Sequence, residues 1–172
     1  MVKLGTFEVK GNSLVVSDPC YEYGLWCCNT LTNVLSGNYT ASVIYSDDNR
    51  VATLQIIHNN YSNSRINYSR QELYSSDIGV DSGQAGFFDE EYYKENQGGE
   101  FDDKDSFYGK CCDLTLSEIQ GGVIDNKGTV SSSGYGDGCY PLYVIRNEDG
   151  KVVIAWIDFI DEEENEEFDD DF

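Results

Sequence analysis

Basic residues are scarce in this chain. Eleven Lys and Arg stand against 32 Asp and Glu, for a net charge of −21 at pH 7 over 172 residues. A surface so charged repels nucleic acid and anionic membranes and attracts basic partners. Direct nucleic-acid binding and membrane association are therefore not expected, and a basic protein surface is the expected partner. Long apolar runs are missing as well, so no segment reads as a membrane-spanning helix. Residues 1–8 contain no apolar stretch and do not read as a signal peptide, which makes the cytoplasm the expected compartment. There is a single histidine, His58, placed beside Asn59-Asn60 and read as a surface residue. It cannot complete a His-rich metal set. The chain has no G-x-S-x-G, no phosphate loop and no D-x-[DN]-x-[DN]-G calcium loop. Only two prolines occur, so tight turns are expected rather than Pro-rich linkers.

What is abundant is strand-forming. Thirteen Tyr and eight Phe, with many Val, Ile and Thr, favour β-structure. Residues 6–9 and 13–17 flank Gly11-Asn12 and predict a hairpin. Residues 30–35, 38–45 and 50–57 predict a three-stranded meander, and 73–81 a further strand. Residues 59–70 read as a surface loop, 89–96 as a short helix, and 97–105 as a mobile insertion. Residues 113–120 predict either a second helix capped by Asp113 or more strand. Hairpins are expected for 123–125 with 129–132, and for 139–146 with 151–159. The second strand of that last pair is apolar along most of its length, so both its faces should be covered. The expectation is a mainly β, single domain over 1–160, an antiparallel sandwich or barrel-like sheet with one or two short helices, followed by an acidic tail over 161–172.

The six cysteines are Cys20, Cys27, Cys28, Cys111, Cys112 and Cys139. Zinc ligands are usually spaced C-x₂₋₄-C, whereas here two pairs are directly adjacent. Buried free thiols fit better than a zinc site or a disulfide framework, and no metal or cofactor is expected. Three loops set a carboxylate among small residues: Asp18-Pro19, Asp81-Ser82-Gly83 and Ser133-Gly134-Tyr135-Gly136-Asp137-Gly138. Convergence of Asp18, Asp81, Tyr135 and Asp137 would make a polar ligand site; ordinary turn chemistry is the competing reading of each loop. The tail holds nine acids and no base. Its Glu166, Glu167, Phe168, Asp169, Asp170, Asp171 and Phe172 alternate charge with aromatic rings, which suits contact with a basic partner.

Val80-Asp81-Ser82-Gly83 followed by Phe87-Phe88-Asp89, and then Ser133-Gly134-Tyr135-Gly136-Asp137-Gly138-Cys139-Tyr140-Pro141 running into a final hairpin, resemble a bacterial family of unknown function, number 4241. Val16-Ser17-Asp18-Pro19 and Ser36-Gly37-Asn38-Tyr39 fit the same pattern. The resemblance implies a shared β architecture and no particular activity. Two functions follow from the residues themselves. The first is a non-enzymatic acidic protein of phage or bacterial type that binds or inhibits a basic protein; nucleic-acid mimics and immunity-type proteins exemplify this class. The alternative is a small ligand- or metal-binding protein, or a hydrolase, built on Asp18, Asp81 and Asp137.

Overall fold

Strand follows strand because β-branched and aromatic residues fill most segments between turn residues. The computed structural model describes residues 1–63, 66–74 and 77–161. In chain order the elements are β1 (Val2–Val9), β2 (Leu14–Ser17), β3 (Asn29–Leu31), β4 (Gly37–Tyr45), β5 (Val51–His58), β6 (Glu72–Leu73), β7 (Ile78–Val80), β8 (Gln84–Asp89), α1 (Glu90–Asn96), α2 (Phe107–Thr115), β9 (Gly121–Ile124), β10 (Gly128–Ser132), β11 (Gly138–Tyr140), β12 (Leu142–Arg146) and β13 (Val152–Asp158). A six-stranded antiparallel sheet runs β1-β4-β5-β13-β12-β6, a five-stranded one runs β3-β2-β8-β10-β9, and β11 pairs with β7 alone. This is a sandwich, not a closed barrel.

Side-chain alternation sorts the residues into layers. Phe7, Val9, Tyr39, Leu54, Ile56, Val144 and Ile157 from the larger sheet meet Leu14, Val16, Ala85 and Phe87 from the smaller one in the central core. Val15, Phe88 and Val130 point the other way, toward Tyr93 of α1 and Phe107 and Cys111 of α2. On the far side, Ile145, Val153, Ile154 and Trp156 are covered by Tyr61 and Ile66 of the 59–71 loop. Thus β8 and β13 are apolar on both faces because each is covered twice.

Turn chemistry closes the hairpins. Asp125 and Asn126 take φ of 47° and 57°, and Lys127 N donates to the Ile124 carbonyl at 2.9 Å, a type I′ turn matched to strand twist. Asp89 caps α1, accepting from Tyr92 N at 3.0 Å, and also holds Lys10 N at 2.9 Å. Ser106 caps α2 through Gly109 N at 3.1 Å.

Several expectations are corrected. β1 and β2 are not a hairpin; they lie in different sheets, so Phe7 and Val16 meet face to face across the core. β3 likewise joins β2 rather than the β4–β5 hairpin. The 73–81 stretch is divided between β6 and β7, and the second helix starts at Phe107, capped by Ser106 rather than Asp113. The 97–105 segment is tied down at both ends: Tyr108 N donates to Gly98 O, and the Ser106 hydroxyl to Asp103 O at 2.7 Å. His58 is 4 % exposed, not a surface residue. Its Nε2 lies 2.9 Å from Ser36 O and its Nδ1 accepts from Asn60 N, so both ring nitrogens serve the fold.

Candidate functional site

The three Gly/Asp loops do come together, along one rim of the sandwich. Asp18 follows β2 directly and is fully buried. Its carboxylate accepts from Cys20 N at 2.9 Å, Asp81 N at 2.9 Å, Ser82 N at 2.6 Å and the Ser82 hydroxyl at 2.6 Å. A buried carboxylate is tolerated only with such a full donor set. Asp18 therefore clasps the loop after β2 to the loop after β7. One residue further on, Ser133 N donates to Gly83 O at 3.1 Å, which joins the two motifs of the C-terminal half.

Asp81 and Asp137 sit one residue beyond the last pair of the β7–β11 ribbon, where Gly138 lies opposite Val80. Both are exposed, and neither carboxylate has a hydrogen-bond partner among the described residues. The Asp137 loop is shaped by its backbone: the Tyr140 hydroxyl donates to Gly136 O at 2.6 Å and the Ser133 hydroxyl to the same oxygen at 2.8 Å. Gly134 takes φ of 66°, a left-handed conformation that favours glycine, and an added Cβ would press on the Ile160 side chain at 3.0 Å. Tyr135 turns elsewhere. Its hydroxyl donates to Asp48 at 3.2 Å and Arg50 lies over its ring at 4.7 Å, so it belongs with the β4–β5 turn.

The loop between β2 and β3 supplies what the sequence reading overlooked. Leu25 N donates to Glu22 O and Cys28 N to Leu25 O, forming consecutive turns. Tyr23 N donates to Gln97 at 2.7 Å and its hydroxyl to Glu90 at 3.0 Å, with Lys94 over its ring. Cys27 and Cys28 are buried, and the Cys27 side chain packs against β7 at Gly79. These anchors hold Trp26 in the open, 92 % exposed, with Leu25 46 % exposed beside it. The exposed acids Glu22, Asp77, Asp81 and Asp137 belong to this loop, to the ends of β7 and to the start of β11. Gly24-Leu25-Trp26 inside a turn was the available signal: a large apolar pair where no strand or helix can use it.

Nucleophilic chemistry finds little support on this rim. Desolvation, with Asp18 and then Asp81 beside it, pushes the Cys20 thiol up to about 12, which removes the thiolate. His58 is committed to Ser36 and Asn60. All six cysteines are free; Cys20 and Cys139 are exposed, whereas the other four are buried as expected. Among the described residues no three His, Cys, Asp or Glu side chains are arranged to hold a metal ion. The residues 166–172 singled out in the tail lie outside the described residues. No helix among the described residues is long and apolar enough to cross a membrane.

A family model described as protein of unknown function (DUF4241) matches residues 7–157. The chain belongs to this family. The matched span takes in every strand from β2 to β12, both helices and all three rim loops, so the clasp around Asp18 lies wholly within the family's domain. No curated protein and no solved structure matches the chain.

Proposed function

We propose that this protein is a non-enzymatic acidic binding module that engages a basic protein surface through the rim carrying Trp26. The observation that supports this reading best is Trp26 itself: a side chain 92 % exposed, on a loop whose flanking residues are fastened by hydrogen bonds and buried cysteines. A rigid exposed tryptophan loses little conformational entropy on binding, and tryptophan is the residue most enriched among interface anchors. Glu22 on the same loop, and Asp77, Asp81 and Asp137 at the ends of the β7–β11 ribbon against which that loop packs through Cys27, supply negative charge suited to steering a basic partner. Asp18, by contrast, already accepts four hydrogen bonds from its own chain. That leaves it little capacity for a ligand, and disfavours the alternative of a shared site with Asp81 and Asp137.

Affinity capture with the full chain, with Trp26→Ala and with Asp81→Asn/Asp137→Asn tests the reading. A basic protein held by the wild type, released by salt and lost with Trp26→Ala is the expected result. Capture indifferent to all three rim residues would overturn the proposal.

A further inference from the structure

The outer face of the six-stranded sheet holds a second constellation, away from the rim. Antiparallel register sets Gln55 opposite Trp156 and Thr53 opposite Asp158, with Ile44 opposite Thr53 on the next strand. Period-two alternation puts all five on the face turned away from the central core. Tyr68 arches over Trp156 with ring centroids 5.7 Å apart, and Tyr143 stacks on the same indole at 5.5 Å. Between Ile44, Thr53, Gln55, Tyr68, Trp156 and Asp158 lies a groove of about 260 Å³.

Two polar groups in its floor have unmet capacity. Gln55 is 4 % exposed, yet its side-chain amide has no hydrogen-bond partner among the described residues, and what access it retains opens on the groove. Asp158 is half-buried; it receives the Thr53 hydroxyl at 3.0 Å and the Trp156 indole N–H, which leaves a carboxylate lone pair open to the groove. None of the six ion pairs among the described residues uses it. Desolvation, with Asp161 nearby, pushes its carboxyl above the usual range.

We propose that this groove receives one basic side chain, arginine or lysine, presented by a protein partner. A cation bearing several N–H donors would answer both deficits at once, pairing with the Asp158 carboxylate and donating to the Gln55 carbonyl. Its alkyl stem or guanidinium plane would lie against Tyr68 and Trp156, where aromatic faces attract cations. The volume falls below the roughly 300–1,000 Å³ of small-molecule pockets and suits a single side chain. A carboxylate that joins none of the ion pairs among the described residues, and the −21 net charge, both disfavour an anion. This site rests on its own residues and stands whether or not Trp26 contacts a partner.

The test is an NMR titration of the full chain with N-acetyl-arginine amide and N-acetyl-lysine amide, beside the neutral N-acetyl-citrulline amide. The readouts are the Trp156 indole N–H and the Gln55 amide cross-peaks, with Trp156 distinguished from Trp26 by Trp26→Phe. Expected are saturable shifts with at least one cationic probe, none with citrulline, and affinity weakened about tenfold or more by Asp158→Asn. That variant is isosteric and relieves a buried charge, so it folds. Trp26→Phe should retain the affinity, which separates this site from the rim. Equal shifts from citrulline, no saturable shift, or an Asp158→Asn protein that binds as tightly as wild type would each overturn the proposal.

Discussion

Two buried or half-buried aspartates in this molecule behave in opposite ways, and the difference lies in their donors. Asp18 is inaccessible yet accepts four hydrogen bonds, whereas Asp158 has two donors, the Thr53 hydroxyl at 3.0 Å and the Trp156 indole N–H. Asp18→Asn would turn an amide N–H₂ toward protein donors and lose the charge that strengthens the remaining bonds. A loss of about 1–3 kcal/mol is expected in urea unfolding. Asp137→Asn, on an exposed carboxylate without a partner, should stay within about 0.5 kcal/mol of wild type. An unchanged Asp18→Asn midpoint would mean that the clasp is not structural. For Asp158 the sign is reversed. Its folded carboxyl titrates above the ordinary 3.8, so its ionisation costs stability above the raised value and nothing below the ordinary one. Asp158→Asn, which keeps an oxygen for Thr53, should raise the thermal midpoint near neutrality. That advantage should fade as pH falls toward about 4. Midpoints measured across pH decide this; a lower midpoint at neutrality would show that the charge is paired.

At the scale of elements, β8 carries the tightest constraint. It is buried along its whole length, with Phe87 facing the central core and Phe88 facing the helices. Gly86, between Ala85 and Phe87, passes so close to β10 that an added Cβ would lie 2.2 Å from Thr129 O and 2.6 Å from the Phe88 ring. A backbone carbonyl in a central strand cannot step aside. Gly86→Ala should therefore destabilise by about 1–3 kcal/mol or more through overpacking, read as a fall in the urea midpoint with little change in slope. Wild-type stability would show that β8 and β10 can part without loss. The same element explains part of the family motif. Gln84 through Asp89 supplies a strand that two layers cover, ending on an aspartate that caps α1. The β7–β11 ribbon shows the converse economy: three residues a side, it is just long enough to hold Asp81 and Asp137 at one end.

For the whole molecule, the last described strand leads into two buried residues and then an acidic run of sequence. Phe159 and Ile160 are 6 % and 8 % exposed, and both backbone N–H groups donate to Ala52 O. Residues 161–172 carry nine of the 32 acids with two phenylalanines, little apolar area against the entropy of ordering a dozen residues. Truncation after Ile160 should leave the thermal midpoint nearly unchanged, or slightly higher at low salt as repulsion is relieved. A fall of many degrees would show that Phe168 or Phe172 packs against the body.

Composition and alternation determined the β class, the sandwich-like layering, the β4–β5, β9–β10 and β12–β13 hairpins, the helix at 90–96 and the family motifs. All of these depend on local turn chemistry or on side-chain period, which a sequence carries residue by residue. Sheet membership was decided only in three dimensions: β1 and β2 are joined by a turn that reads as a hairpin, yet they meet across the core because each finds a better hydrogen-bonding edge elsewhere. The rim follows the same rule. Asp18, Asp81 and Asp137 were legible as loop acids, but whether each is a ligand, a clasp or a free charge depends on donors up to 64 positions away in the chain. The Gln55–Asp158 groove was the least legible part. Its polar residues interrupt two apolar strands, and only cross-strand register, together with a loop folded over Trp156, brings them to one place.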